Sequence, residues 1–389
     1  MLSQKEQKNP QVIHILSDIY DSDKVNFVKS ISNMIINSGF GNTVILPKSV
    51  LAGSLKRSGS EIIALQADAK NKKSLLAEIK SVMPSRNDPK VRILIHNHEF
   101  ELSKEIQAIC KKNGFYQCNT FFSKPEKETF SRRILGKSKF LYNGINISTI
   151  SNELRGYFLQ NYSPLIENIS VVPQELTISK GPVPHERIIS LATSWGILDQ
   201  PSLILLTTEF YGNKIWENHV IELGKTLKNF PADQSVQLVI LDGKKENLMR
   251  DKFQEAITHL GLLNFINPVR ECTDFEAAVS IASLYLDLSP SPTENSTILQ
   301  KCAEQGRLCI AWKHGANIEA FPETLSGNLV EPFNFTVFAQ KIREFLLFEN
   351  NKSKIMEEDA KTYVREKYSC QAVESALFDL YNKTLAKRN

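Results

Sequence analysis

The sequence predicts an α/β protein built from two doubly wound parallel sheets. Three observations carry that expectation. Short apolar runs alternate with stretches of helical period along nearly the whole chain, the pattern of successive βαβ units. The 389 residues exceed the roughly 250–300 that one hydrophobic core organises. Residues 173–184 (PQELTISKGPVP) interrupt the alternation with three prolines, a glycine and no period, as an interdomain linker does.

In the first half, VIHILS (12–17) reads as a buried strand. Residues 24–38 follow as a helix with Val25, Val28, Ile31 and Ile35 on one face and Gly39 as its stop. TVILP (43–47) is the next strand, followed by a helix over 49–57, a strand over 62–65 and a helix over 72–82. VRILI (91–95) is the strongest strand of this half, and a helix over 102–113 comes after it. Weaker strands are predicted near 115–120 and 145–148, before a helix over 152–161 and a strand over 169–172. Past the linker, strands are predicted at 203–207, 236–241, 265–267, 284–288 and 308–311. Helices at 215–228, 247–260, 274–282 and 297–305 separate them, and Lys313 to Ala316 opens another. From Thr336 onward the pattern is almost wholly helical. The expected domains are residues 1–180, residues 181–365 and a closing helix, 366–389, packing back toward the first. Two such domains make a cleft outside the carboxyl ends of their strands, where ligands of open α/β sheets bind and hinge closure is the expected motion.

Composition excludes several classes. With 42% hydrophobic and 23% charged residues, the chain is neither collagen-like nor disordered. No apolar run approaches the roughly 20 residues of a membrane-spanning helix. The polar opening MLSQKEQKNP lacks the apolar segment of a secretory signal, so a cytoplasmic protein is expected. Six cysteines without C-x-x-C spacing suit reduced thiols and supply neither a disulfide framework nor a zinc site. The net charge of +4 hides an asymmetry: the first 180 residues carry 25 basic and 16 acidic side chains, the remainder 22 and 27. Different partners for the two halves follow. The basic clusters are Lys70, Lys72 and Lys73, then Lys111 and Lys112, then Arg132, Arg133, Lys137 and Lys139. They form either a solvated face or a surface for anionic lipid headgroups or an anionic acceptor. No aromatics are interleaved and no recognised module is present, so nucleic acid is not an expected partner.

Among chemical motifs, the phosphate loop, G-x-G-x-x-G after a strand, the G-x-S-x-G elbow and H-E-x-x-H are all absent. His96 and His98 bracket Asn97 after VRILI, but a metal site needs three or four ligands and no further one is evident nearby, so no metal is expected. The informative stretch is residues 286–321. It reads as a strand, a Ser/Pro turn, Glu294 near a helix start, a second strand, and then Lys313-His314-Gly315-Ala316. Two strand-to-helix turns in one doubly wound half aim backbone N–H groups at one place, which suits a diphosphate. Glu294 either caps the helix or accepts hydrogen bonds from a sugar or ribose hydroxyl.

These segments resemble the family 4 glycosyltransferases, and within them the bacterial lipopolysaccharide-core branch. The matching blocks run in the family's order: SVLAGSLKRSGSEIIAL (49–65), SPLIENISVVPQELTI (163–178), HERIISLATSWGI (185–197), ECTDFEAAVSIASLYLDLSPSPTE (271–294), KHGANIE (313–319) and AKTYVREKYSCQAVESALFDLYNKTL (360–385). The resemblance implies a GT-B architecture, two Rossmann-like domains facing across a cleft, with acceptor on the first and nucleotide-sugar on the second. It implies metal-independent transfer with retained anomeric configuration and no cofactor besides the donor. Lys214 takes the place of the lysine that neutralises the departing diphosphate, a charge that develops in the transition state. Glu294 is implied beside it as a catalytic or donor-binding carboxylate. His314, Gly315 and Glu319 are implied in donor binding, with Lys301 as a compensating cation and His96 on the acceptor side. The motifs are degenerate: Glu209 stands where the family has the arginine partner of Lys214, Thr293 and Lys301 stand at its two glutamate positions, and Glu304 lies one turn further. Residues 19–23 replace its Gly-rich loop. The implied partners are a nucleotide-sugar and a glycan or lipid-linked acceptor, with peripheral contact to inner-membrane lipid. The alternative is a catalytically degenerate homologue acting in binding or scaffolding. A sugar-nucleotide epimerase or a phosphorylase would use the same architecture.

Overall fold

The computed structural model describes residues 9–19, 22–49, 51–67, 71–84, 91–125, 145–162, 166–179, 181–197, 202–207, 210–230, 236–242, 246–347 and 350–386. The chain divides into two compact units, one of residues 1–175 together with 368–389, the other of residues 176–367.

The first unit alternates strands and helices: β1 (Gln11–Ile15), α1 (Ser22–Asn37), β2 (Gly41–Pro47), α2 (Leu51–Arg57), β3 (Glu61–Leu65), α3 (Lys72–Val82) and β4 (Ile93–Asn97). It continues with α4 (Ser103–Asn113), β5 (Tyr116–Phe121), β6 (Asn146–Thr149), α5 (Asn152–Tyr162) and β7 (Ile169–Val171). Its seven strands lie in the order β3-β2-β1-β4-β5-β6-β7, and every pairing is parallel. Helices on both faces explain why strands such as β2 are buried along nearly their whole length instead of alternating. Helix ends follow local chemistry. Asn71 caps α3 by accepting from the Ser74 N–H, and Gly114 ends α4 in the left-handed conformation that its missing Cβ permits.

The second unit contains α6 (His185–Trp195), β8 (Ser202–Thr207), α7 (Lys214–Lys228), β9 (Val236–Asp242), α8 (Leu248–His259), β10 (Ile266–Glu271) and α9 (Phe275–Ile281). After these come β11 (Leu284–Asp287), α10 (Thr297–Glu304), β12 (Leu308–Trp312), β13 (Leu329–Val330), α11 (Phe335–Leu346) and α12 (Asn350–Lys367). Its six-stranded sheet runs β10-β9-β8-β11-β12-β13, again parallel. Asn213, Asn247, Asp274 and Asn334 cap α7, α8, α9 and α11 through side-chain oxygens. Two elements have no counterpart among the predicted ones, α6 and the two-residue β13. Residues 313–316 lead into a 3-10 helix, Gly315–Ala320, where a longer helix was expected.

The last helix, α13 (Cys370–Ala386), belongs to the first unit. Val373, Leu377, Leu380 and Tyr381 are fully buried in one cluster with Val12, Phe27, Ile31 and Leu94. Thr384 accepts a hydrogen bond from the Asn146 side chain at 2.9 Å. Removing a buried leucine leaves a cavity as well as losing transfer energy. Leu377→Ala should therefore lower unfolding stability by about 2–5 kcal/mol, read as a fall in urea midpoint, whereas Lys383→Ala on the exposed face of the same helix should stay within about 0.5 kcal/mol.

Candidate functional site

In the second unit β8 and β11 are neighbours, with Ile204, Leu205 and Leu206 paired to Leu284, Tyr285 and Leu286. The chain leaves β8 toward β9 on one side and leaves β11 toward β12 on the other. The carboxyl ends of two strands at such a reversal are the usual ligand position of an open α/β sheet. Lys214 begins α7 beside it. The Asn213 side chain accepts from the Ile215 and Trp216 N–H groups, and the buried Glu217 carboxylate accepts from the Gly212 N–H at 2.9 Å. Its other oxygen pairs with the Lys214 ammonium at 2.7 Å. Lys214 remains 84% exposed, so Glu217 holds the turn while the cation faces solvent. Glu209 lies outside the described residues. On the next strand, Asp242 accepts from Asn247 at 2.9 Å and pairs with the buried Arg250 at 3.2 Å, fixing the start of α8 at the same edge.

The opposite wall comes from two loops locked together. After β11, the Asp287 carboxylate accepts from the Ser289 N–H at 2.8 Å. After β12, the Ala316 N–H donates to the Thr293 carbonyl at 2.8 Å, and the Thr293 hydroxyl donates to Asn317 Oδ1 at 3.1 Å. Gly315 makes this contact possible. Its φ is +57°, and a Cβ would fall 2.5 Å from the Thr293 nitrogen and overlap that residue's carbonyl oxygen. The half-buried Glu294 and His314 are thus brought together with Gly315 at the carboxyl ends of β11 and β12, and His314 Nε2 lies 3.3 Å from the Ser289 carbonyl.

Other predicted residues stand elsewhere. Lys301 is exposed about 6 Å along α10 from its first residue. Glu304 is 2% exposed and serves the packing of its own unit: it pairs with Arg365 of α12 at 2.6 Å and accepts from the Ser179 hydroxyl at 2.9 Å. The Glu319 main-chain carbonyl accepts from Lys367 Nζ at 2.7 Å and the Tyr363 hydroxyl at 3.1 Å, tying that segment to α12. Asp287 and Asn317 were not singled out by sequence reasoning, and Thr293 only as a departure from the family's glutamate. Thr293 and Asn317 meet in a loop-to-loop contact across 24 residues, for which spacing gives no signal.

No family model matches the sequence, and no curated protein matches it. Solved structures do. A glycosyltransferase from Rickettsia africae superposes with a TM-score of 0.82 at 16% identity over 97% of this chain and 99% of that one. The fold is that of the GT-B glycosyltransferases. Anabaena HepE in complex with UDP gives a TM-score of 0.74 at 13% identity over 96% of this chain and 100% of that one. The lipopolysaccharide outer core galactosyltransferase WaaB gives 0.68 at 13% identity over 96% and 99%. Among the described residues no helix is long and apolar enough to cross a membrane.

This GT-B chain has a second strand reversal, in its first unit, between β1 and β4. There the chain supplies its own anion. Glu99 accepts from the Ser17 and Asp18 N–H groups at 2.7 and 3.1 Å, and its other oxygen meets Lys24 Nζ at 3.3 Å. His96 stands behind this group and does not reach the surface. It is 0% exposed, with Nδ1 at 2.8 Å from the Tyr381 hydroxyl and Nε2 at 2.6 Å from Thr120 Oγ1. His14, His96 and His98 cluster with one ring nitrogen of each within 4.8 Å of the others, a third imidazole that sequence reasoning missed because β1 and β4 are 82 residues apart yet register His14 against His96. His14 Nδ1 and His98 Nε2 are 3.0 Å apart in rings tilted by 20° with centroids at 5.3 Å. That separation is about the N–N distance plus two ring radii, so the rings meet edge to edge. The gap fits one shared proton. Burial pushes His14 down to about 3 and drives His96 and His98 well below their ordinary value, with the neighbouring imidazoles and Lys24 adding to the effect on His98.

Gly315→Ala should lower stability by at least about 1 kcal/mol and shift the Thr293 and Ala316 amide resonances. Gly327→Ala, where a Cβ meets nothing within 4 Å, should leave those resonances in place.

Proposed function

We propose that the chain is a glycosyltransferase that binds a nucleotide-sugar at the carboxyl edge of its second sheet. The sugar passes to a glycan or lipid-linked acceptor of lipopolysaccharide-core type. The observation that carries this reading is the paired-loop wall around Gly315, on the β11 and β12 side of the strand reversal whose β8 side leads into the helix that Lys214 begins. It supports an anion site because two strand-to-helix turns present backbone N–H groups there and Lys214 adds a mobile, hydrated cation. The likeness to a protein solved with UDP and with UDP-glucose supports a nucleotide-sugar as the anion.

In this reading Lys214 swings from Glu217 to the diphosphate as the glycosidic bond breaks and leaving-group charge grows, which is when a cation lowers the barrier most. Glu294 and the half-buried Glu319 accept hydrogen bonds from donor hydroxyls, and His314 and Gly315 border the transferring sugar. Lys301, exposed on α10, adds to the positive potential without a direct contact. The anomeric configuration is retained and no metal takes part. The basic first half attracts an anionic acceptor and, with it, the surface of anionic lipid.

Calorimetric titration with UDP-, GDP- and ADP-sugars is the test. One of them is expected to bind, Lys214→Ala to weaken that binding at least tenfold, and the product anomer, read by NMR, to match the donor. Binding without transfer to any lipopolysaccharide-core acceptor would favour a degenerate binding protein. No binding at millimolar concentration would defeat the donor site itself.

A further inference from the structure

We propose that the His14–His96–His98 cluster is an acid-sensitive latch: it must be neutral for α13 to stay docked on the first unit, and mild acid frees that helix. This inference does not depend on the sugar-transfer reading.

The contact between His14 and His98 is the first reason. The edge-to-edge pair of His14 and His98 shares a single proton across 3.0 Å. If both imidazoles were protonated, two N–H groups would point at each other. The outer nitrogens of the pair, His14 Nε2 and His98 Nδ1, are buried without hydrogen-bond partners. Whichever tautomer the pair adopts, one of these carries a hydrogen and the other a bare lone pair; only the Asn42 amide beside His14 favours a charge there, and burial outweighs it. His96 touches both rings of the pair, with centroids at 5.2 Å from His14 and 4.2 Å from His98, and its own nitrogens reach the helix and β5. A neutral imidazole donates from one nitrogen and accepts at the other, matching two hydroxyls, Tyr381 of α13 and Thr120 of β5. Thr120 in turn bonds the Ser148 hydroxyl of β6 at 2.5 Å. One chain of polar contacts thus joins three strands to the last helix, at the centre of the face that α13 covers.

The charged and titratable neighbours argue in the same direction. From α1 comes the ammonium of Lys24, which repels a proton on His98. From the end of β4 comes Glu99, already engaged by Lys24 and two backbone N–H groups. Asp18 lies 4.0 Å from Lys24 and is half in solvent. From β5 comes the buried Cys118 thiol and from α13 the Tyr381 hydroxyl, both pushed up and so held neutral by burial. From β2, the Asn42 side chain works the other way and favours charged His14, an effect smaller than that of burial. Among the described residues, no carboxylate is free to neutralise a charged cluster. A histidine whose folded pKa lies below its unfolded value contributes stability that is complete above about pH 6.5 and is lost as pH falls below it. Of the elements around the cluster, α13 is held by side-chain contacts alone, the apolar cluster with the Tyr381–His96 and Asn146–Thr384 hydrogen bonds, whereas β1 and β4 are also laddered to their neighbours.

Amide hydrogen exchange of the full chain between pH 7.5 and 5.0, corrected for intrinsic rates, tests the latch. Amides of α13 are expected to exchange at least tenfold faster at pH 5.0 than at 7.5, while β1 and β4 keep their protection. Tyr381→Phe should move the onset to higher pH, because it removes the hydroxyl that joins the helix to His96. The pair His14→Asn and His98→Asn should flatten the pH dependence. Should that double variant fail to fold at pH 7.5, the wild-type and Tyr381→Phe profiles decide. The proposal is overturned by an α13 that keeps its protection at pH 5.0, by simultaneous loss of protection in α13, β1 and β4, or by a Tyr381→Phe profile identical to wild type.

Discussion

A parallel sheet exposes two apolar faces, and each has to be covered or the strands lose more in solvation than their hydrogen bonds return. That requirement shapes both halves of this chain. In the second unit, consecutive crossover helices suffice, and the sheet sits inside one large cluster running from Ile204 to Phe345. In the first, α1 leaves part of one face open over β1, β4 and β5. The chain closes it with a helix drawn from its far end, the one carrying Leu377 and Tyr381. The polar tie between Tyr381 and His96 lies inside that apolar contact, so register and burial are set together.

Elements with a clean period were legible. The helix over 72–82 is found with those bounds, and VQLVIL became a strand buried along its whole length. The apolar face of Val25, Val28, Ile31 and Ile35 does lie on α1. What escaped was short or displaced. A two-residue strand has no period to detect, and β13 exists because Trp312 and its neighbours offer an edge to Leu329 and Val330. VRILI marks a strand, yet the ladder begins at Ile93 and runs on through His96 and Asn97. Polar residues there find partners across the sheet that no local pattern displays.

The site was legible as a region and less so as residues. The Ser/Pro turn before Glu294 and the glycine at 315 announced backbone chemistry, and the two loops do meet. Individual side chains were harder because a carboxylate at a helix position has several possible fates. Glu304 illustrates the point: its spacing suggests a motif, but a guanidinium 61 residues away and a hydroxyl 125 residues away claim it. Glu217 and Glu99 are likewise committed to turns, each holding a lysine, the first with one backbone N–H and the second with two. In both units the strand reversal therefore carries a lysine–glutamate pair, buried in the first and solvent-facing in the second.

The placement of α13 has a consequence for biosynthesis. Domains generally complete themselves in the order in which they leave the ribosome. Here the opening 175 residues emerge without the helix that seals their sheet, and the intervening 192 residues must be translated before it arrives. The amino-terminal lobe is thus the last to be finished. Until then Phe27, Ile31 and Leu94 lack the cover of that helix.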